Sequence, residues 1–160
     1  MKKILVAVVL TLSISTAIFA QNDDKKNAWG VIEKMFAEMA NHNPTAIAEL
    51  FTKDSNLTAI VKAKDGKSRV VAMTGEGFSK NFAEKRGEIR EDMYAPKVEV
   101  DGDFALVWGR YVFFSDGKVS HCGVNSFNLV RTETGWKIAN AASTIDPTNC
   151  TTEEKARPAK

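Results

Sequence analysis

A chain of 160 residues carries 22 Lys and Arg against 20 Asp and Glu, and 44% of it is hydrophobic. That size and apolar content suit one domain with a real core and exclude two ordinary ones. Lys2 and Lys3 are the only charges in the first twenty residues, so the remainder balances at 20 basic and 20 acidic side chains; a neutral domain has no electrostatic case for binding nucleic acid or an anionic membrane.

Residues 1–20 read as a secretory signal peptide. Lys2 and Lys3 form the basic start, the apolar run over residues 4–12 is too short to span a bilayer, and Ile18-Phe19-Ala20 is an acceptable cleavage context. The expected product starts near Gln21, has no lipid-anchoring Cys at that point, and is a periplasmic or secreted bacterial protein without further membrane association. In the exported chain, Cys122 and Cys150 have two readings: a disulfide that staples the tail across the sheet, or a buried thiol and an incidental one.

Trp29, Ile32, Met35, Phe36 and Met39 recur at spacings of three and four, which predicts an amphipathic helix over residues 28–40. Asn41-His42-Asn43-Pro44 stops it, with His42 in a solvated loop, and Pro44 opens a short second helix. Residues 53–56, Asp54 among them, read as a turn. Strands over 57–63 and 69–73 flank Lys64-Asp65-Gly66-Lys67, a hairpin signal. Thr74 can cap a third helix reaching about residue 85, and Gly87 ends it. Residues 89–100 form a strand flawed at Pro96, hence bulged or at an edge. After Asp101-Gly102-Asp103, residues 104–145 form three long strands joined by two tight turns. The polar tail over 147–160 lacks apolar periodicity and is expected to be loose.

This order predicts an α+β fold, with one domain over residues 21–146. A curved antiparallel sheet wraps around the N-terminal helices and leaves a cone-shaped pocket. In the middle strand of the meander His121, Gly123, Asn125, Phe127 and Leu129 share one face. In the strand before it Tyr111 shares a face with Val107, Gly109 and Phe113, while Leu106, Trp108, Arg110 and Val112 share the other; both faces are apolar, so parity alone does not place Tyr111. In the last strand Trp136, Ile138, Asn140 and Ala142 alternate together.

The element order, together with the stretches Val107-Trp108-Gly109-Arg110-Tyr111, Asp116-Gly117-Lys118, Ser120-His121-Cys122-Gly123-Val124, Phe127 to Arg131 and Gly135-Trp136-Lys137-Ile138, resembles the nuclear-transport-factor-two-like superfamily. That superfamily includes ketosteroid isomerase, scytalone dehydratase and polyketide cyclases, and this chain looks like an exported bacterial branch of it. The resemblance covers about residues 28–145. It implies the cone fold, and it does not imply one activity, because such folds host enzymes, binders and inert modules.

His121 is the candidate general acid or base, with Tyr111 and Asn125 as donors to a developing oxyanion. No Asp or Glu falls within residues 104–114 or 119–131, so the steroid-isomerase constellation is not carried over and His121 lacks an orienting carboxylate. Tyr111, His121 and Asn125 therefore read first as pocket lining. Trp29 and Trp108 join them as candidate ligand-contacting aromatics, with core or interface packing as the plainer role. Arg110 fits an ion pair or an anionic ligand.

Two distant histidines without ligand spacing give no metal site, and no phosphate loop or nucleophile elbow is present. No cofactor is expected. Three functions fit: an exported binder of a small apolar or aromatic ligand, a lyase, isomerase or cyclase using His121 and Tyr111, or a dimeric interaction module with a filled cavity. In the third, the face carrying Trp108, Val112 and Phe114 would pair two copies. A homodimer is expected under any of them.

Overall fold

The structure, a computed structural model, describes residues 22–63, 65–85 and 87–158. The expected signal segment 1–20, the start at Gln21, and Lys64 of the expected hairpin turn lie outside the described residues.

The first helix, α1, covers residues 22–40. It buries Ala28, Ile32, Met35, Phe36 and Met39 on one stripe, as the three-and-four spacing requires. The chain then reverses at His42, whose φ is +53°. Asn43 caps the next helix, α2 (Pro44–Ala48), by accepting from the Ala46 N–H at 3.2 Å. His42 is half-buried and its Nε2 lies 3.1 Å from the Gly87 carbonyl, so it ties two loops together instead of standing in solvent.

Six strands follow: β1 (Phe51–Lys62), β2 (Ser68–Thr74), then after the short α3 (Gly75–Lys80), β3 (Ile89–Asp101), β4 (Phe104–Ser115), β5 (Lys118–Thr132) and β6 (Gly135–Ile145). They form one curved sheet in the order β2-β1-β6-β5-β4-β3. The α+β fold is as expected, with one difference: β1 and β6 pair in parallel, while every other neighbour is antiparallel. A long connection separates β1 from β6, so no hairpin dictates their relative direction.

Residues 53–56 belong to β1, not to a turn. Phe51 and Ser55 are both buried, and the Ser55 hydroxyl accepts from the Gly75 N–H at 3.2 Å where α3 begins. A Cβ on Gly75 would come within 2.5 Å of Phe51 and Ser55, so only glycine lets α3 sit this close to β1. Thr74 caps α3 as expected, accepting from the Gly77 N–H. The helix is nonetheless only six residues long, since two glycines in so short a run weaken it.

The curvature has local causes. β3 breaks register between Tyr94 and Lys97, with Ala95 at φ +46° beside Pro96; it is both bulged and at the sheet edge. β6 breaks register between Ile138 and Asn140. Its parity therefore switches: Ala141 and Ser143 stand opposite Phe127 and Asn125 on the concave face. Asn140 and Ala142 do not share the face of Trp136 and Ile138.

The tail from Pro147 is held, not loose. Cys122 and Cys150 form a disulfide with a Cα–Cα distance of 5.2 Å. The last helix, α4 (Thr152–Lys155), starts with a capping box between Thr151 and Glu154. Glu154 is 1% exposed and receives Arg110 Nε at 2.6 Å and Nη2 at 3.0 Å, plus the Tyr94 hydroxyl. These contacts lay the tail over Val112, Phe114 and Cys122 on the convex face, where they form a second small core. Polar composition hid this, because the fastening is a disulfide and an ion pair instead of an apolar stripe.

Candidate functional site in the cone

The concave face of the sheet, α1 and α3 enclose a cavity of about 250 Å³, near the lower end for small-molecule sites. Its walls are apolar: Met35 and Met39 from α1, Phe78 and Phe82 around α3, and Phe113 and Phe127 from the sheet. Glu91, Tyr111, His121 and Asn125, from three strands, are among its polar lining, with Thr58, Asn81 and Ser143 beside them. The cone thus stays open and is not filled by its own side chains.

Tyr111, His121 and Asn125 are brought together by parity. Tyr111 pairs with Gly123 across the β4–β5 ladder, Phe113 with His121, and Gly109 with Asn125. Tyr111 is 2% exposed and donates to the Thr144 carbonyl at 2.9 Å. Its proton is committed to the backbone, and burial, reinforced by the charge of Glu91, pushes its pKa well above the usual phenol range. This hydroxyl is a poor oxyanion donor unless that bond breaks. The contact depends on Gly123, where a Cβ would lie 1.8 Å from the Thr144 oxygen and 2.9 Å from the Tyr111 ring.

The His121 ring stacks on Phe113, with centroids 4.8 Å apart and planes inclined by 11°, and meets Tyr111 edge-on at 5.8 Å. Its Nδ1 lies 3.2 Å from the Ser120 hydroxyl. Burial without a carboxylate partner pushes its pKa down to about 4, so the ring is neutral at physiological pH.

The residue that sequence reasoning missed is Glu91. It stands opposite Phe113 in the β3–β4 ladder and is half-buried. Its Oε1 accepts from Asn125 Nδ2 at 2.6 Å. Burial pushes its pKa up to about 7, against the lowering effect of the Asn125 bond and with a small further push from Asp92. The alternation Ile89, Glu91, Met93 carried the signal, since Met93 is buried. Glu91 lies outside residues 104–114 and 119–131, which hold no Asp or Glu. A carboxyl that titrates near neutrality behind apolar walls can hold a proton, release it, or pair with a cation.

Trp29 and Trp108 are not part of this lining. Trp29 packs against the core from α1 and borders a separate groove at the β3 edge. Trp108 is 41% exposed on the convex face, with the Lys97 ammonium 5.7 Å from its ring centre. Arg110 is engaged by Glu154, not by a ligand. Among the described residues, Cys122, Cys150 and Glu154 are close enough to share an ion, but their two sulfurs are bonded to each other.

No protein-family model matches the chain, and no curated protein is found similar to it. Solved structures are similar in fold. An NTF2-like protein with a cystatin-like fold from Novosphingobium aromaticivorans superposes with a TM-score of 0.69 at 14% identity, covering 91% of this chain and 95% of its own. An NTF2-like superfamily protein from Salmonella enterica gives 0.61 at 16% identity, covering 82% and 97%. An NTF2-like protein of unknown function from Shewanella baltica gives 0.57 at 14%, covering 77% and 94%. The chain has the NTF2-like cone fold, and the resemblance read from its sequence holds at the level of fold.

Proposed function

We propose that this protein is an exported binder of a small, largely apolar molecule held in the cone. The observation that carries the reading is the cavity itself: apolar and aromatic walls with a few polar groups converging from β3, β4 and β5. The Cys122–Cys150 bond supports export, because such bonds persist in oxidising compartments. Native mass spectrometry of protein recovered from its host's exported fraction tests it. A retained small molecule supports the proposal. Protein that is ligand-free and also excludes an environment-sensitive apolar dye from the cavity counts against it.

A second reading, an acid–base lyase, isomerase or cyclase, gains from Glu91. The carboxyl missing from the late strands stands on β3, bonded to Asn125 and not to His121, with a pKa of about 7. Glu91 then replaces His121 as the proton carrier, and His121 and Asn125 position the substrate. In that case Glu91→Gln abolishes turnover of a substrate that the protein still binds, while His121→Phe weakens binding more than turnover.

A further inference from the structure

The charge and ring content of the cone narrow the ligand class. Among the described residues lining the cavity, Glu91 is the one charged side chain; no Lys or Arg faces it. Five aromatic rings share the lining: Phe78, Phe82, Tyr111, Phe113 and Phe127. The faces of such rings are electron-rich and attract cations. One carboxylate oxygen is occupied by Asn125. That amide bond favours the anionic form, and it consumes one acceptor of a group that offers several.

We propose that the cone selects a small organic cation, a primary or substituted ammonium on an apolar or aromatic body, with Glu91 as its counter-ion and the aromatic rings as its cage. The inference rests on the reading of the cone as a ligand site. A carboxylate desolvated without a cation is in an unfavourable state. An ammonium in the cavity relieves it, whereas an anionic ligand adds a second negative charge and a neutral one leaves the cost in place. The Met35 and Met39 side chains, which also line the cavity, fit an apolar body of variable shape.

Other titratable groups near Glu91 do not compete for this role. His121 is neutral, and the Tyr111 hydroxyl is committed to Thr144. At the β3 edge Glu91 also borders the outer groove, which Glu33, Arg90, Asp92 and Arg157 line with it. Arg90 is paired with Asp92 at 2.9 Å, and the Arg157 guanidinium stacks on the Tyr94 ring at 4.4 Å.

Three probes of nearly equal shape test the proposal on the full exported chain: 2-phenylethylamine, 2-phenylethanol and 3-phenylpropanoate, titrated calorimetrically at about pH 8. The amine is expected to bind about tenfold or more tightly than the alcohol, with the carboxylate weakest. In Glu91→Gln the amine-to-alcohol ratio falls to about one. A second measurement needs no variant: near pH 7, amine binding releases a proton from Glu91, seen as a dependence of the heat on buffer ionisation. An alcohol that binds as well as the amine, or an amine preference that survives Glu91→Gln, overturns the cation proposal and leaves the cone reading standing. Failure of all three probes together with exclusion of an apolar dye overturns both.

Discussion

Asn125 and Glu91 are hydrogen-bonded at 2.6 Å although their strands are not neighbours. β4 runs between β5 and β3, and Asn125 lies four residues along β5 from His121, the residue in line with Glu91, so a flat sheet would hold the two backbones roughly 16 Å apart. The curvature set by the bulges closes that gap. The polar centre of the cone is therefore a product of sheet bending as much as of residue choice, and the same bond fixes which way the Glu91 carboxyl faces.

Glu91 makes stability depend on pH. Its folded-state pKa is raised, from an ordinary 4.5 to about 7, so between those values the folded protein holds a proton that the unfolded chain releases. Stability falls as pH rises through that window, and the full loss is present above it. Glu91→Gln keeps an acceptor for Asn125 and removes the charge. It is expected to stabilise the ligand-free protein by of order 2 kcal/mol at about pH 8, discounted for partial exposure, and by almost nothing at about pH 4. Urea unfolding at the two pH values measures the difference.

His121 is expected to stay neutral until the solution is distinctly acidic. Its depressed pKa of about 4 means that its ring carbon resonances, followed by NMR, remain constant from neutral pH down to about 5. A midpoint above 6 would require an anionic partner that the geometry lacks. His121→Phe preserves the stack on Phe113 and is expected to leave the fold intact, with unfolding temperature within a few degrees of the parent.

Arg110 holds Glu154 in place. Glu154 alone would have its pKa raised by burial; hydrogen bonds from Arg110, Tyr94 and the Thr151 backbone, with the Arg110 charge, outweigh this and hold it at about 2. The pair stabilises the fold above about pH 4.5 and that stabilisation is lost as pH falls toward 2. Arg110→Ala leaves a buried carboxylate without its cation and is expected to cost about 2 kcal/mol, less than for a fully buried pair because Arg110 is partly solvated. Its acid unfolding midpoint moves upward.

The disulfide and the tail are coupled. Replacing both Cys122 and Cys150 with Ser removes a bond that closes 28 residues and is expected to cost roughly 2–4 kcal/mol. Limited trypsin digestion read by mass spectrometry then cuts the double variant after Lys155 faster than the oxidised parent, while the cone remains resistant; Arg157 precedes Pro158 and is not a trypsin site.

Gly123→Ala tests how closely the end of β6 approaches β5. A methyl group there meets the Thr144 oxygen at 1.8 Å, so backbone must move and the Tyr111–Thr144 bond is disrupted. The expected loss is about 1–3 kcal/mol, visible in thermal unfolding. The Tyr111 ultraviolet signal becomes more solvent-like.

Much of the fold was legible because residues 104–145 form three long strand-like runs between two well-marked turns, and the middle run alternates with a period of two. The inward aim of His121 and Asn125 followed from Phe127 and Leu129 on the same strand. Legibility stopped at bulges. In β6 the inserted residue flips Ser143 inward and Asn140 outward, and no residue type announces it. In β3 the break at Ala95 and Pro96 was foreseen, yet it separates two stretches of opposite parity, so the aim of Glu91 had to be judged from Ile89 and Met93 alone. The tail was illegible for another reason: its hold comes from single long-range partners, Cys122 and Arg110, which leave no periodic trace.

The parallel pairing of β1 with β6 sets an order of assembly. β1 and β2 can zip locally as soon as they exist, and β3, β4 and β5 can form their own meander. Neither half shares a strand with the other until β6 arrives, hydrogen-bonding β5 on one side and β1 on the other. The last strand made is thus the keystone, and its late docking must close a loop spanning most of the chain, the kind of step that slows folding. A chain interrupted before β6 leaves two open sheet edges where the finished protein has a continuous ladder, and open edges invite wrong partners.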